Sequence, residues 1–191
     1  MSKAPAAVYR FLIFDRQYNC RFDRKWINRV QREGQSSMDE LSDIETMQLI
    51  MGSTYSLKSM MLKLSPPAPR QGIDSNSSSR RSSHASSPVE PSIPVDLSKE
   101  VCFSYLTSKY RLIYFESMTG WKICLLLEPN ATLLMAEMEA LMRSLYLEIL
   151  VKGIIQNPMY RLVEPSFERS GLLYRLDSFI SNSPLLRLLS V

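Results

Sequence analysis

Residues 101–127 read VCFSYLTSKYRLIYFESMTGWKICLLL: three short apolar runs parted by TSK at 107–109 and by Glu116 to Gly120. The first run predicts a strand from Val101 to Leu106, with Val101, Phe103 and Tyr105 on one face and Cys102, Ser104 and Leu106 on the other. The second spans Tyr110 to Phe115. The third, Trp121 to Leu127, puts Trp121, Ile123, Leu125 and Leu127 on one side and Lys122, Cys124 and Leu126 on the other. Successive side chains of a strand point to opposite faces, so the pattern predicts an antiparallel meander with one face covered and the other only partly wet. Gly120 supplies the positive φ that a tight reversal needs. A meander this apolar must be covered by helices.

Working upstream, Ala7 to Phe14 reads as a strand apolar on both faces, suited to the centre of a sheet. Arg16-Gln17-Tyr18-Asn19 is a polar turn, and Cys20 to Trp26 a second, more polar strand. Residues 30–37 are loop-like. The pairs Ser37/Glu40 and Ser42/Glu45 have capping-box spacing, in which hydroxyl and carboxylate satisfy otherwise unpaired backbone N–H groups. A helix follows, with Ile50, Thr54, Leu57, Met61 and Leu64 as its apolar stripe, flanked by Met47 and Met60. These methionines, with Met51, read as a flexible apolar face packed on the sheet rather than an adaptable binding surface.

Composition changes at Pro66. From Pro66 to Asp96 the chain is rich in Ser and Pro with no hydrophobic period. Ordering such a segment costs about 1–2 kcal/mol per residue, which it cannot offset by burial, so a disordered insertion is expected. Arg80-Arg81-Ser82-Ser83 resembles a basophilic-kinase substrate, making Ser82 and Ser83 candidate phosphorylation sites. Each phosphate would add about −1.5 to −2 charges. The expected organisation is one domain in two parts, 1–65 and 99–191, interrupted by 66–98.

Downstream, Asn130 is the expected N-cap of a helix striped by Leu134, Met138, Leu141, Leu145 and Ile149, with Gly153 as its stop. Met142, Tyr146 and Leu150 make its other side apolar too, so it is either deeply buried or meets a partner. Asn157-Pro158 breaks the chain. A last helix is expected from near Ser166 to Ile180, ended by Ser183-Pro184. The apolar tail from Leu185 to Val191 either packs on the body or docks elsewhere.

Composition excludes several functions. The chain has 191 residues, 45% of them hydrophobic, and a formal charge of +4. Its Lys and Arg residues are scattered among acids, which reads as a solvated mixed surface more than a nucleic-acid or membrane patch. Cys20, Cys102 and Cys124 are odd in number and far apart, supporting neither a disulfide framework nor a zinc site. The apolar run Val8 to Phe14 carries Arg10 and is too short for a signal peptide or a membrane span, and no lipidation motif is apparent. The single histidine, His84, lies in the insertion, so no Ser-His-Asp or Cys-His unit can be assembled in the folded part. The six glycines form no phosphate-cradling motif. Glu137, Glu139 and Glu148 read as solvated helix positions. Phe103, Tyr105, Tyr110, Tyr114, Phe115 and Trp121 would suit a base-stacking platform, but they occupy core alternation positions without aligned basic residues. An α/β (α+β) binding or assembly domain without an active site, cofactor or metal is the reading.

The order strand, strand, helix, three strands, two helices resembles the longin-like fold, here a five-stranded, antiparallel-rich sheet with helices packed on it. FLIFDRQYNCRFDRKW at 11–26, LIMGSTYSLKSMMLKLSP at 49–66, TSKYRLIYFESMTGWK at 107–122, LYLEILVK at 145–152 and RLDSFI at 175–180 resemble the Bet-five (TRAPP subunit one) type of small subunit of the TRAPP tethering complex. Phe14-Asp15-Arg16 with Trp26 also resembles adaptor sigma subunits, whereas the hairpin elements and the Leu-Tyr helix favour TRAPP. Two departures, the 66–96 insertion and the extra residues Gly153 to Gln156, are expected in connections.

The resemblance implies a non-catalytic subunit in ER-to-Golgi transport, beside Bet-three-type chains and a second longin-like subunit. There it would help form a platform for nucleotide exchange on a Rab/Ypt-type GTPase. It implies a cytoplasmic protein, peripheral at the cis-Golgi and endoplasmic reticulum, meeting membrane only through the complex. Tyr55 and Lys58 on the first helix, Tyr110, Arg111, Thr119 and Lys122 on an exposed hairpin, and Met142 and Tyr146 are the interface candidates. A sigma-type adaptor subunit is the alternative, and a nucleic-acid-binding module the rival of a different class.

Overall fold

The computed structural model describes residues 4–26, 43–64, 100–160, 166–167 and 169–188. Ser37, Glu40, Ser42, Ser82, Ser83 and His84 lie outside them. The structure divides into two units, one drawn from residues 1–42 and 98–191 and the other from 43–97.

In the first unit, β1 (Ala6–Phe14), β2 (Cys20–Lys25), β3 (Val101–Leu106), β4 (Arg111–Glu116) and β5 (Lys122–Leu127) form an antiparallel sheet in the order β2-β1-β5-β4-β3. The meander is therefore real, and β1 is an interior strand between β2 and β5, as its two apolar faces require. A register shift between Val8 and Arg10 changes which residues face the helices. Ala6 and Val8 share a core with Phe11 and Ile13, a switch of parity that one bulged residue produces. The turns behave as their residues dictate. Thr107 Oγ1 accepts from the Tyr110 amide (3.0 Å) and donates to its carbonyl (2.8 Å), and Gly120 sits at φ +82°.

The helical layer consists of α2 (Met135–Leu145), a π-helical continuation (Tyr146–Ile155) and α3 (Ser170–Asn182). Met138, Leu141, Leu145, Ile149, Leu150, Ile154, Leu172, Leu176 and Ile180 bury against Ile113, Phe115, Ile123, Leu125 and Leu127. Each large side chain so buried contributes about 1.5–3 kcal/mol. Contrary to the expected half-wet face, β5 is buried on both sides. Phe103 and Tyr114 stack at 4.9 Å on the side away from those helices.

Several expectations need correction. Leu134, not Asn130, caps α2, because the Glu137 carboxylate reaches back to the Leu134 amide (2.7 Å). Gly153 does not stop the helix. The π-helical turns carry it on to Ile155, and Gln156 N–H donates five residues back to the Val151 carbonyl (2.8 Å). The extra residues Gly153 to Ile155 thus lie in a helix rather than a connection. A Cβ on Gly153 would come 3.0 Å from Leu172 Cδ1, so glycine here permits close approach of α3. That helix starts at Ser170, later than expected, with Phe167 fully buried ahead of it.

The tail also adds a sixth strand. β6 (Leu186–Leu188) pairs in parallel with Ala6 to Val8, and Ala6 N–H donates to the Leu185 carbonyl (2.8 Å). β2 pairs only with Arg10 to Phe14, which leaves the start of β1 for the tail. Arg187 bonds Glu128 across this junction (3.3 Å).

The second unit contributes α1 (Asp43–Leu64). Ile50 and Thr54 are buried and Leu57 is half-buried, as the stripe predicts. Met61 and Leu64 are exposed, so the apolar stripe outlasts the buried face. Among the described residues no helix is long and apolar enough to cross a membrane.

Candidate interaction surface

At one end of the sheet the β1–β2 turn and the β4–β5 turn are built into a single body. Asp15 organises the first. Its carboxylate accepts from the amides of Gln17 and Asn19 (both 2.9 Å) and from Asn19 Nδ2 (3.0 Å). Such side-chain acceptance is why Asp favours turns. It lets Tyr18 take a positive φ of 66° without being glycine. In the second turn Ser117 N–H donates to the Trp121 carbonyl (2.9 Å) and Gly120 N–H to the Ser117 carbonyl (2.8 Å).

Lys122 locks the two together. Its ammonium donates to the carbonyls of Asp15 (3.2 Å), Arg16 (3.3 Å) and Gly120 (2.9 Å), and lies 4.0 Å from Glu116 Oε1. Only 2% of the residue is exposed. A buried ammonium is tolerated because its protons are taken and an opposite charge is near. The sequence reading of Lys122 as an exposed interface residue is therefore wrong: it faces away from the helical core, as alternation says, yet it is enclosed. Arg16 adds a second tie, its Nε donating to the Thr119 carbonyl (2.6 Å).

The other sequence candidates fall into four groups. Thr119 is exposed and its hydroxyl lies 3.4 Å from that of Tyr146, so these two meet with Lys122's turn at the same end. Tyr146 is half-buried, its ring 5.7 Å from Phe115. Met142 is fully buried, which removes it as a contact for any partner; α2 buries Met138, Leu141, Met142 and Leu145 and keeps Met135, Ala136, Ala140, Arg143 and Ser144 exposed. Tyr110 and Arg111 are half-buried at the other end of β4, where Tyr105 and Tyr110 meet edge to face at 6.5 Å. Tyr55 is 59% exposed and Lys58 half-buried on α1.

Sequence reasoning passed over a cluster of aromatic and basic side chains beside the two turns. Arg21 lies over the Phe167 ring at 5.0 Å, Phe167 sits 6.1 Å from both Trp121 and Tyr160, and Arg169 covers Tyr160 at 4.9 Å. Phe167 N–H also donates to the Arg21 carbonyl (2.6 Å) on the outer side of β2. The signal was Arg21, but its partners come from distant parts of the chain.

Two of the thiols, Cys102 and Cys124, are held in the neutral form. Burial, then Glu139, pushes the Cys102 thiol up to about 11. Burial pushes Cys124 further up, with Cys20 adding to it. Burial and the hydrogen bond from its hydroxyl to Glu116 (2.7 Å) raise Tyr114 strongly. Among the described residues no group of three or more His, Cys, Asp or Glu side chains is placed to hold a metal ion.

A model for a family described as Sybindin-like matches residues 8–181, from β1 into α3. Over 182 residues the chain is 26% identical to transport protein particle subunit bet5 of Schizosaccharomyces pombe, covering 91% of this chain and 95% of that one. It is 24% identical over 174 residues to trafficking protein particle complex subunit 1 of Dictyostelium discoideum, covering 91% and 89%. The subunit of the same name from Rattus norvegicus is 23% identical over 180 residues, covering 93% and 94%. The protein belongs to the Sybindin-like family, and its Bet-five-type resemblance extends over nearly the whole chain.

Proposed function

We propose that this protein is a non-catalytic subunit of a TRAPP tethering complex acting in vesicle trafficking. The observation that carries this is the similarity to subunits of that complex over 91% of the chain, with the family match running from Val8 in β1 to Ser181 in α3. Its more specific role is to help form the platform on which a Rab/Ypt-type GTPase exchanges guanine nucleotide at the ER-to-Golgi step. Bet-three-type chains and a second longin-like subunit are its neighbours. A platform accelerates exchange only by holding the nucleotide-free GTPase more tightly than the nucleotide-bound form. Rigid, pre-tied turns suit that task, because little ordering entropy is lost when a partner lands on them.

Affinity purification of the tagged full-length protein from its own cells, followed by mass spectrometry, tests this. Stoichiometric recovery of Bet-three-type chains is expected, together with exchange activity in the assembly and little in the isolated chain. Recovery of large adaptor chains instead would favour the sigma-type reading and overturn this one.

A further inference from the structure

Beside the fused turns lies a cavity of about 270 Å³ lined by Asp15, Arg16, Gln17, Arg21 and Trp121. We propose that it is a recognition site for a carboxylate, the side chain of an aspartate or glutamate presented by a neighbouring protein chain. The neighbour being a protein rests on the reading of this chain as a complex subunit.

Three observations carry the assignment. The first is the set of unspent donors. Arg16 uses Nε on the Thr119 carbonyl, and its two terminal nitrogens make no hydrogen bond among the described residues. The Gln17 side-chain carboxamide and the Trp121 indole N–H likewise have no partner there. Guanidinium, amide and indole N–H all donate.

The second is that the one carboxylate in the wall, among the described residues, is already occupied. The Asp15 carboxylate takes three hydrogen bonds from Gln17 and Asn19, with Arg21 Nη1 3.5 Å away. The wall carries two guanidinium groups, Arg16 and Arg21, and one carboxylate, Asp15. A singly charged carboxylate meets less repulsion from Asp15 than a doubly charged phosphate does. A planar guanidinium also matches a carboxylate with two parallel bonds.

The third is preorganisation. The Arg16 stem crosses the β4–β5 turn so closely that a Cβ on Gly120 would come 3.0 Å from Arg16 Cγ. With Nε tied to Thr119, the guanidinium is held in place before any ligand arrives, which lowers the entropic cost of binding.

The chain has two tryptophans, and they report differently. Trp121 walls the cavity, while Trp26 Nε1 donates to Asp177 (2.9 Å) away from it. The full-length protein is titrated with a short acetylated, amidated peptide carrying two glutamates while both indole N–H resonances are followed. The Trp121 resonance is expected to shift saturably and that of Trp26 to stay. Arg16→Ala should weaken the peptide at least about tenfold and Arg16→Lys less, since a lysine cannot form the paired bonds.

An unmoved Trp121 resonance in the wild-type protein overturns the site, whatever the variants do. Equal affinity in a folded Arg16→Ala protein does so too. Inorganic phosphate that displaces the peptide and binds more tightly would overturn the carboxylate assignment. Because no partner chain enters this titration, its failure leaves the tethering-complex reading standing, and failure of the purification leaves the site standing.

Discussion

The ammonium of Lys122 lies 4.0 Å from the centre of the Tyr18 ring, so a residue of β5 holds down the tip of the β1–β2 turn. Cation and ring attract through the ring's quadrupole, more strongly where water is excluded. Lys122→Met keeps most of the stem but removes the donor to three carbonyls and leaves Glu116 without its nearby cation. A loss of about 2–4 kcal/mol is expected, by the cost of unpaired buried polar groups. Urea denaturation measures it; an unchanged midpoint would mean the lysine is no clamp.

Gly120→Ala tests the same junction from the other turn. At φ +82° a side chain is strained, and its Cβ would press on the Arg16 stem. The strained backbone alone costs about 1–3 kcal/mol. The Trp121 indole resonance should shift as Arg16 moves, even without ligand.

Two helical glycines should respond with opposite sign. Gly52 on α1 has nothing within 4 Å of an added Cβ, so Gly52→Ala should stabilise by about 0.5–1 kcal/mol through helix propensity. Gly153 faces Leu172 Cδ1 at 3.0 Å and the Glu148 carbonyl at 3.4 Å. Gly153→Val should destabilise by about 1–3 kcal/mol through overpacking. Thermal melts of the two variants would reveal the difference in direction.

Asp177 links α3 to β2. It accepts from Trp26 Nε1 (2.9 Å) and Arg24 Nη2 (3.1 Å). Asp177→Ala leaves a largely buried indole N–H unpaired, a loss of about 1–3 kcal/mol. Trp26→Phe in the same background should recover part of it, since the unpaired indole donor is then gone. A double-mutant cycle in urea reads this coupling.

The thiols give a pH dependence. In the unfolded chain Cys102 ionises near its ordinary 9.0, and in the folded protein near 11. The neutral thiol is therefore favoured by folding. That contribution is whole below pH 9 and is lost as pH rises toward about 11. Cys102→Ser should flatten the alkaline loss of stability relative to the wild type. Thiol-reagent labelling at about pH 8 should be slow at Cys102 and slowest at Cys124, because the thiolate is the nucleophile.

The turn residues were legible in the chain and the fates of several side chains were not. Gly120 and Thr107 announce their turns because backbone geometry and local hydrogen bonding act over four residues. Gly153 misled for the same reason: a glycine near a helix end reads as a stop, and only the approach of Leu172 from α3 gives it another purpose. Arg16, Arg21 and Trp121 were each visible, yet nothing in their spacing says that they line one cavity.

Alternating hydrophobicity and turn chemistry, both local, determined the five strands, their antiparallel meander and the existence of three helices. The tertiary structure alone decided that Lys122 is enclosed, that Met142 is core and that the tail becomes a strand beside Ala6 to Val8. Side-chain parity says which face a residue occupies, whereas exposure depends on what distant segments bring to that face. For Lys122 those segments are the carbonyls of Asp15 and Arg16, more than a hundred residues away in the chain.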